Sequence, residues 1–575
     1  MFGEFESLLI NTCDMKIKIL LFFFVQSSIM ICGQTIIPEK SNVLPPESNF
    51  DYSALSFIDA YDSMHATLEL RYPFTQWKAI DWDSKNSKTR PLIIEAQNSN
   101  DTILFQKELL EYLYDVPDGH ISISGSLAKF RSRYINGSYG FNMIKLDDGS
   151  VVVSYIPEES PAYEAGIRTG DKILKWNGIH IDSVGDLELL NYPRNYSTTE
   201  GRIFSRYLML SRDSVGAIAT ISYQNNNSKE ESTISLVAVD DGLELYLVGF
   251  YNTGKPLDFD SLVQYKIIEN NIGYLFIGAE SAEAETPEEM MQDPDFIKVK
   301  DAITYFNENN VEKLIIDLRF NNGGNDLQAA VSMGLFYNQP SFYEYITASY
   351  DYDYQVIYEL WTEPLIPLFD GEIAVIVDPN CISTGEGFAM MFQRLANANI
   401  VSHWGTNGSF GMVDYDPVLM PAGIQIMFPQ AMSLNENHII QLDSDSNLVG
   451  GVMPDIKVPN NVDNIKRQWG QGVDVQLEYA ISNLLSVNYI SSQLAVTMYP
   501  NPCKDVVNIS FLSKLESSGV FKLFDVNGNL TLQEYLESGN TKYIIKVGNL
   551  ISGIYFYKLE TNNKNMYRGK VVVSK

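Results

Sequence analysis

Cysteine is scarce in this chain: four in 575 residues, of which Cys13 and Cys32 fall in an N-terminal stretch expected to be removed, leaving Cys381 and Cys503. Two isolated thiols build neither a disulfide framework nor a sulfur-ligated metal cluster, and no metal or other cofactor is expected. Positive charge is also in short supply, with 41 Lys and Arg against 72 Asp and Glu and a formal net charge of −31. A surface of that sign repels phosphate, which argues against nucleic acid and anionic lipid as partners. Long apolar runs are few. Ile19–Val25, preceded by Met15-Lys16-Ile17-Lys18 and trailing unevenly to Gly33, has the order of a secretory signal over residues 1–33, with Met15 as a possible true start. It is too short and interrupted for a membrane span, so no integral span is expected in the mature form. Cys32 follows the bulky Ile31, which disfavours lipid attachment at that thiol.

A chain of this length exceeds one core and divides into several domains. Residues 34–49 form a Pro-containing linker. Over 50–133 the apolar spacing is helical, with Leu55, Phe57, Ile58 and Tyr61 in one run and Ile103, Leu104, Leu109, Leu110 and Leu113 in another. Residues 134–240 form a β-rich module, 241–485 an α/β domain, 486–494 a polar linker, and 495–575 a compact β-sandwich with alternating strands.

Two segments of the α/β domain carry the chemistry. Leu314–Asn325 (LIIDLRFNNGGN) and Ala374–Ala389 (AVIVDPNCISTGEGFA) each run from a buried-type strand, Leu314–Leu318 or Ala374–Val377, into a turn rich in Gly, Asn and Ser. Open α/β sheets place catalytic groups at such strand ends. The first turn offers amides at Gly323 and Gly324. The second offers the Ser383 hydroxyl, the Thr384 amide and a helix expected over Glu386–Ala398. A serine on a tight strand-to-helix turn beside amide donors is what acyl transfer needs: an exposed nucleophile, and N–H groups aimed at a developing oxyanion.

Together the segments resemble the C-terminal-processing and tricorn-like serine peptidases. The family pattern Asp-Leu-Arg-x-Asn-x-Gly-Gly matches Asp317–Gly324, Ser-x-x-Glu matches Ser383–Glu386, and a closing Gly-Val-x-Pro-Asp block matches Gly451–Asp455. The resemblance implies a peptidase domain of the crotonase-like or ClpP-like kind, with Ser383 as nucleophile and Gly323, Gly324 and Thr384 as the oxyanion hole. In the Lys-dependent branch the base stands in a Thr-x-Gly-Lys segment; here Thr406-Asn407-Gly408-Ser409 has Ser409 in its place, and no lysine occurs between Ser383 and Leu434. In the tricorn-like branch the base is the histidine of an Asp-Gly-His segment. That implies His120, in Asp118-Gly119-His120, as base, with His403 and His438 as alternatives. Tricorn-like relatives carry an orienting serine where Gly119 stands. The imidazole still needs a partner to fix its tautomer, and Asp118, Glu436, Asp443 and Asp445 all remain open as that partner.

The module over 134–240 resembles PDZ modules of processing proteases through Ser160–Gly178: a short helix stopped at Gly166, a Thr169-Gly170-Asp171 turn, an alternating strand and an Asn177-Gly178 hairpin turn. The resemblance implies that Tyr139, Gly140, Phe141 and Asn142 bind a peptide C-terminus. Residues 495–575 resemble the sorting domain read by the type IX secretion system of certain Gram-negative bacteria, through the Tyr499-Pro500-Asn501-Pro502 opening, Gly553-Ile554-Tyr555 and the basic terminus. The expected fold class is multidomain α+β: helical cap, PDZ-like module, α/β peptidase domain and C-terminal β-sandwich. The expected activity is that of a secreted or cell-surface serine endopeptidase. Its partners would be peptide or protein substrates and the type IX machinery, and its route would run through the periplasm. A catalytically silent peptidase fold that binds peptides or apolar ligands is the rival.

Overall fold

The computed structural model describes residues 50–575 except 185–193, 254–260, 348–354, 414–416, 487–495, 502, 512–513, 516, 526–528 and 562–565. The signal and first linker expected at 1–49, and nearly all of the second linker, lie outside the described residues. The chain divides into two compact units, residues 1–484 and 485–575, and the architecture is multidomain α+β.

The first unit begins with three helices, α1 (Phe57–Arg71), α2 (Trp82–Ser99) and α3 (Thr102–Tyr114). Apolar spacing marks α1 and α3. It misses α2, which crosses Pro91, because two end caps hold that helix in place: the Asp81 carboxylate accepts the Ser84 amide, and Asn100 closes the far end in the left-handed conformation. After α3 the chain makes the Asp118-Gly119-His120 turn and then β1 (Ser122–Gly125), which pairs antiparallel with the strand Ile424–Met427. The helical region is thereby joined to the far end of the same unit.

The PDZ-like module is an antiparallel sheet of β2 (Met143–Lys145), β3 (Val151–Val153), β4 (Lys172–Trp176), β5 (Ile218–Gln224) and β6 (Glu231–Val237) in that order, with α4 (Thr199–Leu210) against it. The helix α5 (Glu244–Tyr251) follows. Next comes a six-stranded sheet with order β7 (Val263–Ile268), β8 (Ile272–Ile277), β9 (Lys313–Asp317), β10 (Glu372–Ile376), β11 (Ala398–Ser402) and β12 (Ile456–Lys457). Every pairing is parallel except β7 with β8. Because β9 and β10 are buried on both faces, their sequences are near-continuous apolar runs. The crossovers use α6 (Pro294–Glu308), α7 (Asp326–Met333) and α8 (Thr384–Arg394), and the unit closes with α9 (Val462–Gln471) and α10 (Val475–Ser486). The parallel topology delivers the carboxyl ends of β8, β9 and β10 side by side, and the motifs begin there.

The second unit has a three-stranded sheet (Val496–Tyr499, Val506–Phe511, Lys542–Lys546) and a four-stranded one (Leu530–Leu536, Gly519–Phe524, Gly553–Thr561, Met566–Val573). Its own apolar core includes Val507, Phe521, Leu559 and Val571.

Candidate active site

Ser383 is the residue before α8, where a serine would ordinarily cap the helix. Its backbone sits instead at φ 60°, ψ −134°, a conformation that L-residues rarely adopt, and its side chain makes no cap hydrogen bond. The turn thus holds a half-buried hydroxyl away from the helix amides it would normally satisfy. The β9 turn packs directly on this one. A Cβ on Gly323 would lie 2.5 Å from the Ser383 Cβ, and one on Gly324 would lie 1.9 Å from the Glu280 carbonyl oxygen, so both positions require glycine. The three amides expected to serve an oxyanion differ in availability. That of Gly323 donates to Asn321 Oδ1 at 2.8 Å, whereas those of Gly324 and Thr384 donate to no group among the described residues.

The His120 loop reaches the same place through Ser409. The Ser409 carbonyl accepts the Ser383 amide at 3.0 Å, and the Ser409 hydroxyl accepts the Gly119 amide at 2.8 Å. The position that bears a lysine in one branch of the resembled family here holds the histidine loop against the serine turn. Gly119 has no space for a side chain: a Cβ there would lie 2.4 Å from Asn407 Oδ1 and 2.5 Å from Ile382 Cδ1. His120 is 8% exposed, and neither ring nitrogen has a hydrogen-bond partner among the described residues. Burial holds its pKa down to about 4; Asp118 opposes that shift, while Lys78 and Arg194 add to it. The ring is therefore neutral and free to accept a proton at physiological pH.

Of the four candidate orienting carboxylates, Asp118 lies nearest the ring, with Oδ1 3.8 Å from His120 Nδ1. Asp118 is fully buried, accepts the His120 amide at 2.9 Å and accepts the Tyr72 hydroxyl at 2.7 Å. Asp443 is buried in the same cluster, where desolvation and the Asp118 charge push its carboxyl well above the usual range while Lys78 counters. Glu436 is exposed, and Asp445 spends its carboxylate on the Asn447 and Val449 amides of its own turn. The alternative bases are engaged elsewhere: His403 is buried with Nδ1 3.0 Å from the Val458 carbonyl, and His438 stacks on Tyr345.

Glu386, the acidic end of the Ser-x-x-Glu match, is joined at the site by residues that carry no local signal in the sequence. Glu386 is fully buried and accepts the Gly408 and Ser409 amides at 2.7 and 2.8 Å and the Thr406 hydroxyl, fixing the loop that presents Ser409. Arg194 donates to the Asn380 carbonyl at 2.7 Å and to Asn322 Oδ1, so it spans both strand-end turns. Ser197 Oγ accepts the Gly119 amide at 3.0 Å, and Asn195 Nδ2 donates to the Val116 carbonyl at 2.6 Å. The segment Arg194–Ser197 thus ties the PDZ-like module to both the histidine loop and the serine turn. The carboxylate-binding loop expected at Tyr139–Asn142 is not an open nest. The Tyr139 amide donates to Ser211 O, Gly140 to Ser138 Oγ and Asn142 to Tyr155 O, while Tyr139, Phe141 and Asn142 are buried. Helix α5 covers this loop, with Asn142 Nδ2 donating to the Leu245 carbonyl at 2.7 Å.

Comparison with known proteins agrees with this architecture. Residues 289–458 match the model of peptidase family S41, residues 137–199 a PDZ domain, and residues 497–574 a secretion system C-terminal sorting domain. Among solved structures, mature CPAF complexed with lactacystin is similar over 75% of this chain and 97% of its own, at 15% identity and a TM-score of 0.53. Uncomplexed mature CPAF is similar over 75% and 96%, at 16% identity and a TM-score of 0.52.

Proposed function

From the premise that this chain is a serine peptidase with an S41 peptidase domain, a PDZ domain and a secretion sorting domain, we propose that Ser383 is its nucleophile and His120 its general base. The observation that carries the assignment is the backbone of Ser383. Its positive φ withholds the hydroxyl from helix capping, and the turn packs on the β9 turn so closely that a Cβ on Gly323 would meet both Ser383 Cβ and the Thr384 amide. In the reaction Ser383 Oγ attacks the scissile carbonyl as His120 takes its proton. The Gly324 and Thr384 amides receive the oxyanion, and His120 then returns the proton to the leaving amine. Asp118, with Oδ1 3.8 Å from His120 Nδ1, stabilises the imidazolium that forms between these steps. The missing Ser383–His120 hydrogen bond is consistent with a site that tightens when substrate binds.

The substrate class is peptides or proteins, and the sorting domain marks the chain for export. The finer reading is export by the type IX system to the cell surface or beyond. The PDZ-like module is assigned a positioning role, because its loop amides are satisfied internally and its Arg194–Ser197 segment reaches the site. Labelling by a fluorophosphonate probe tests the nucleophile: the wild-type chain labels and Ser383→Ala does not. Absence of labelling in an intact, folded wild type would return the assignment to a binding protein on a peptidase fold.

A further inference from the structure

Lys78 is a lysine with no exposed side-chain surface, carried in the Phe74–Ala79 turn between α1 and α2. Burial of a lysine is costly unless its charge is used. Its ammonium donates to the Ser444 carbonyl and to Ser444 Oγ, both at 3.0 Å, and lies 3.8 Å from Asp443 Oδ1, which is buried without a hydrogen-bond partner. The other face of Asp443 accepts the Phe410 amide at 3.1 Å, one residue beyond the Ser409 that holds both the serine turn and the histidine loop. The charges that act on His120 are those of Asp118 from its own loop, 3.8 Å from the ring, of Lys78 from the helical region and of Arg194 from the PDZ-like module. Asp443 and Tyr72 join through Asp118, and Glu386 acts on Asp443 from α8.

We propose that Lys78 is a positioning residue for the catalytic base. It anchors the Asp443-Ser444 segment, whose Asp443 holds the Phe410 amide next to Ser409, and supplies a buried positive charge to the cluster that contains Asp118 and the imidazole. With Lys78 in place the buried cluster already holds a cation, so it does not need a proton on His120 to limit its negative charge. Removing the cation raises the proton affinity of every group in the cluster, the imidazole included. The proposal rests on the assignment of His120 as base, and it extends the active site to a residue that lies 305 positions before the nucleophile (383 − 78).

The test compares wild type and Lys78→Met by two readouts. One is the acid limb of kcat/KM against pH. The other is the ring titration of His120 by NMR on histidine-labelled protein in a Ser383→Ala background, with the resonance assigned by His120→Gln. Both should move to higher pH by about half a unit or more. A fall in kcat that is equal at every pH, with the ring titration unmoved, would reduce Lys78 to a structural lysine and overturn the proposal. Should Lys78→Met not fold, Lys78→Gln, which removes the charge but keeps a polar end beside the Ser444 carbonyl, must move the ring titration upward; an unmoved titration there overturns the proposal as well. If the fluorophosphonate fails to label wild type while the ring titration still shifts in Lys78→Met, the nucleophile assignment falls and the control of His120 by Lys78 stands.

Discussion

At the scale of single residues, the proposed nucleophile and base are held by groups that touch neither reacting atom. His120→Ala should lower kcat by about 10³-fold or more while leaving the thermal transition in place. The pH profile has a defined sign. A serine hydroxyl needs a neutral imidazole, and burial lowers the His120 pKa to about 4, so kcat/KM should hold through pH 6 and fall only as pH drops toward 4. An acid limb at the ordinary histidine value, near 6.5, would mean that the working ring is solvated. Gly119→Ser, which restores the residue tricorn-like relatives carry, should reduce kcat here, because its Cβ would press on Asn407 and Ile382; unimpaired turnover in that variant would show that the loop has room the structure does not. The motifs around Ser383, His120 and the paired glycines stand out in the sequence because they are local, and the structure brings their turns together. The orienting carboxylate was not legible as one residue. Asp118 and Asp443 lie on separate loops, and only burial beside Tyr72 and Lys78 sets them apart from Glu436 and Asp445.

At the scale of elements, strand-to-turn transitions were readable to within a residue or two: the strand expected from Leu314 runs Lys313–Asp317, and the helix expected from Glu386 begins at Thr384. Two things were not readable. Helix α2 is set by its caps through Pro91, against its weak apolar periodicity. The closing of the PDZ-like loop is tertiary: α5 arrives from outside the module and its Leu245 carbonyl takes the Asn142 amide group. Amidation removes the carboxylate that an open nest of N–H groups would favour. With the Tyr139, Gly140 and Asn142 amides occupied, peptides with free and amidated C-termini should bind the full chain equally. A clear preference for the free acid, measured by calorimetry on the Ser383→Ala protein, would show that α5 lifts away in solution.

For the whole molecule, buried titratable groups set the stability profile. Burial raises Glu280 to about 8 and Asp326 and Glu386 to about 7, so between the unfolded carboxylate range and those values the folded state holds protons that the unfolded state releases. Stability from these groups is lost as pH rises through that window. His120 and His403, both lowered to about 4, act in the opposite direction and only below the unfolded histidine value near 6.5. The melting temperature of the first unit should therefore fall between pH 6 and pH 9, and calorimetry showing a rise over that range would contradict the burial of these carboxyls. The sandwich has its own core, so a chain ending at Ser492 should keep full peptidase activity but remain inside the cell envelope of the native host. Fractionation followed by a peptidase assay checks both halves: surface delivery of the shortened chain would refute the sorting role, and lost activity would give the sandwich a supporting one.

The pairing of β1 with Ile424–Met427 has a consequence in time. A ribosome releases His120 early and Ser383, the proposed nucleophile, 263 residues later (383 − 120), and the strand that seats the histidine loop is later still. A chain made as far as Ser383 but not yet to Met427 therefore carries both side chains without the strand pairing that seats the histidine loop. Assembly of the proposed site therefore waits on chain that emerges after both of its reactive residues.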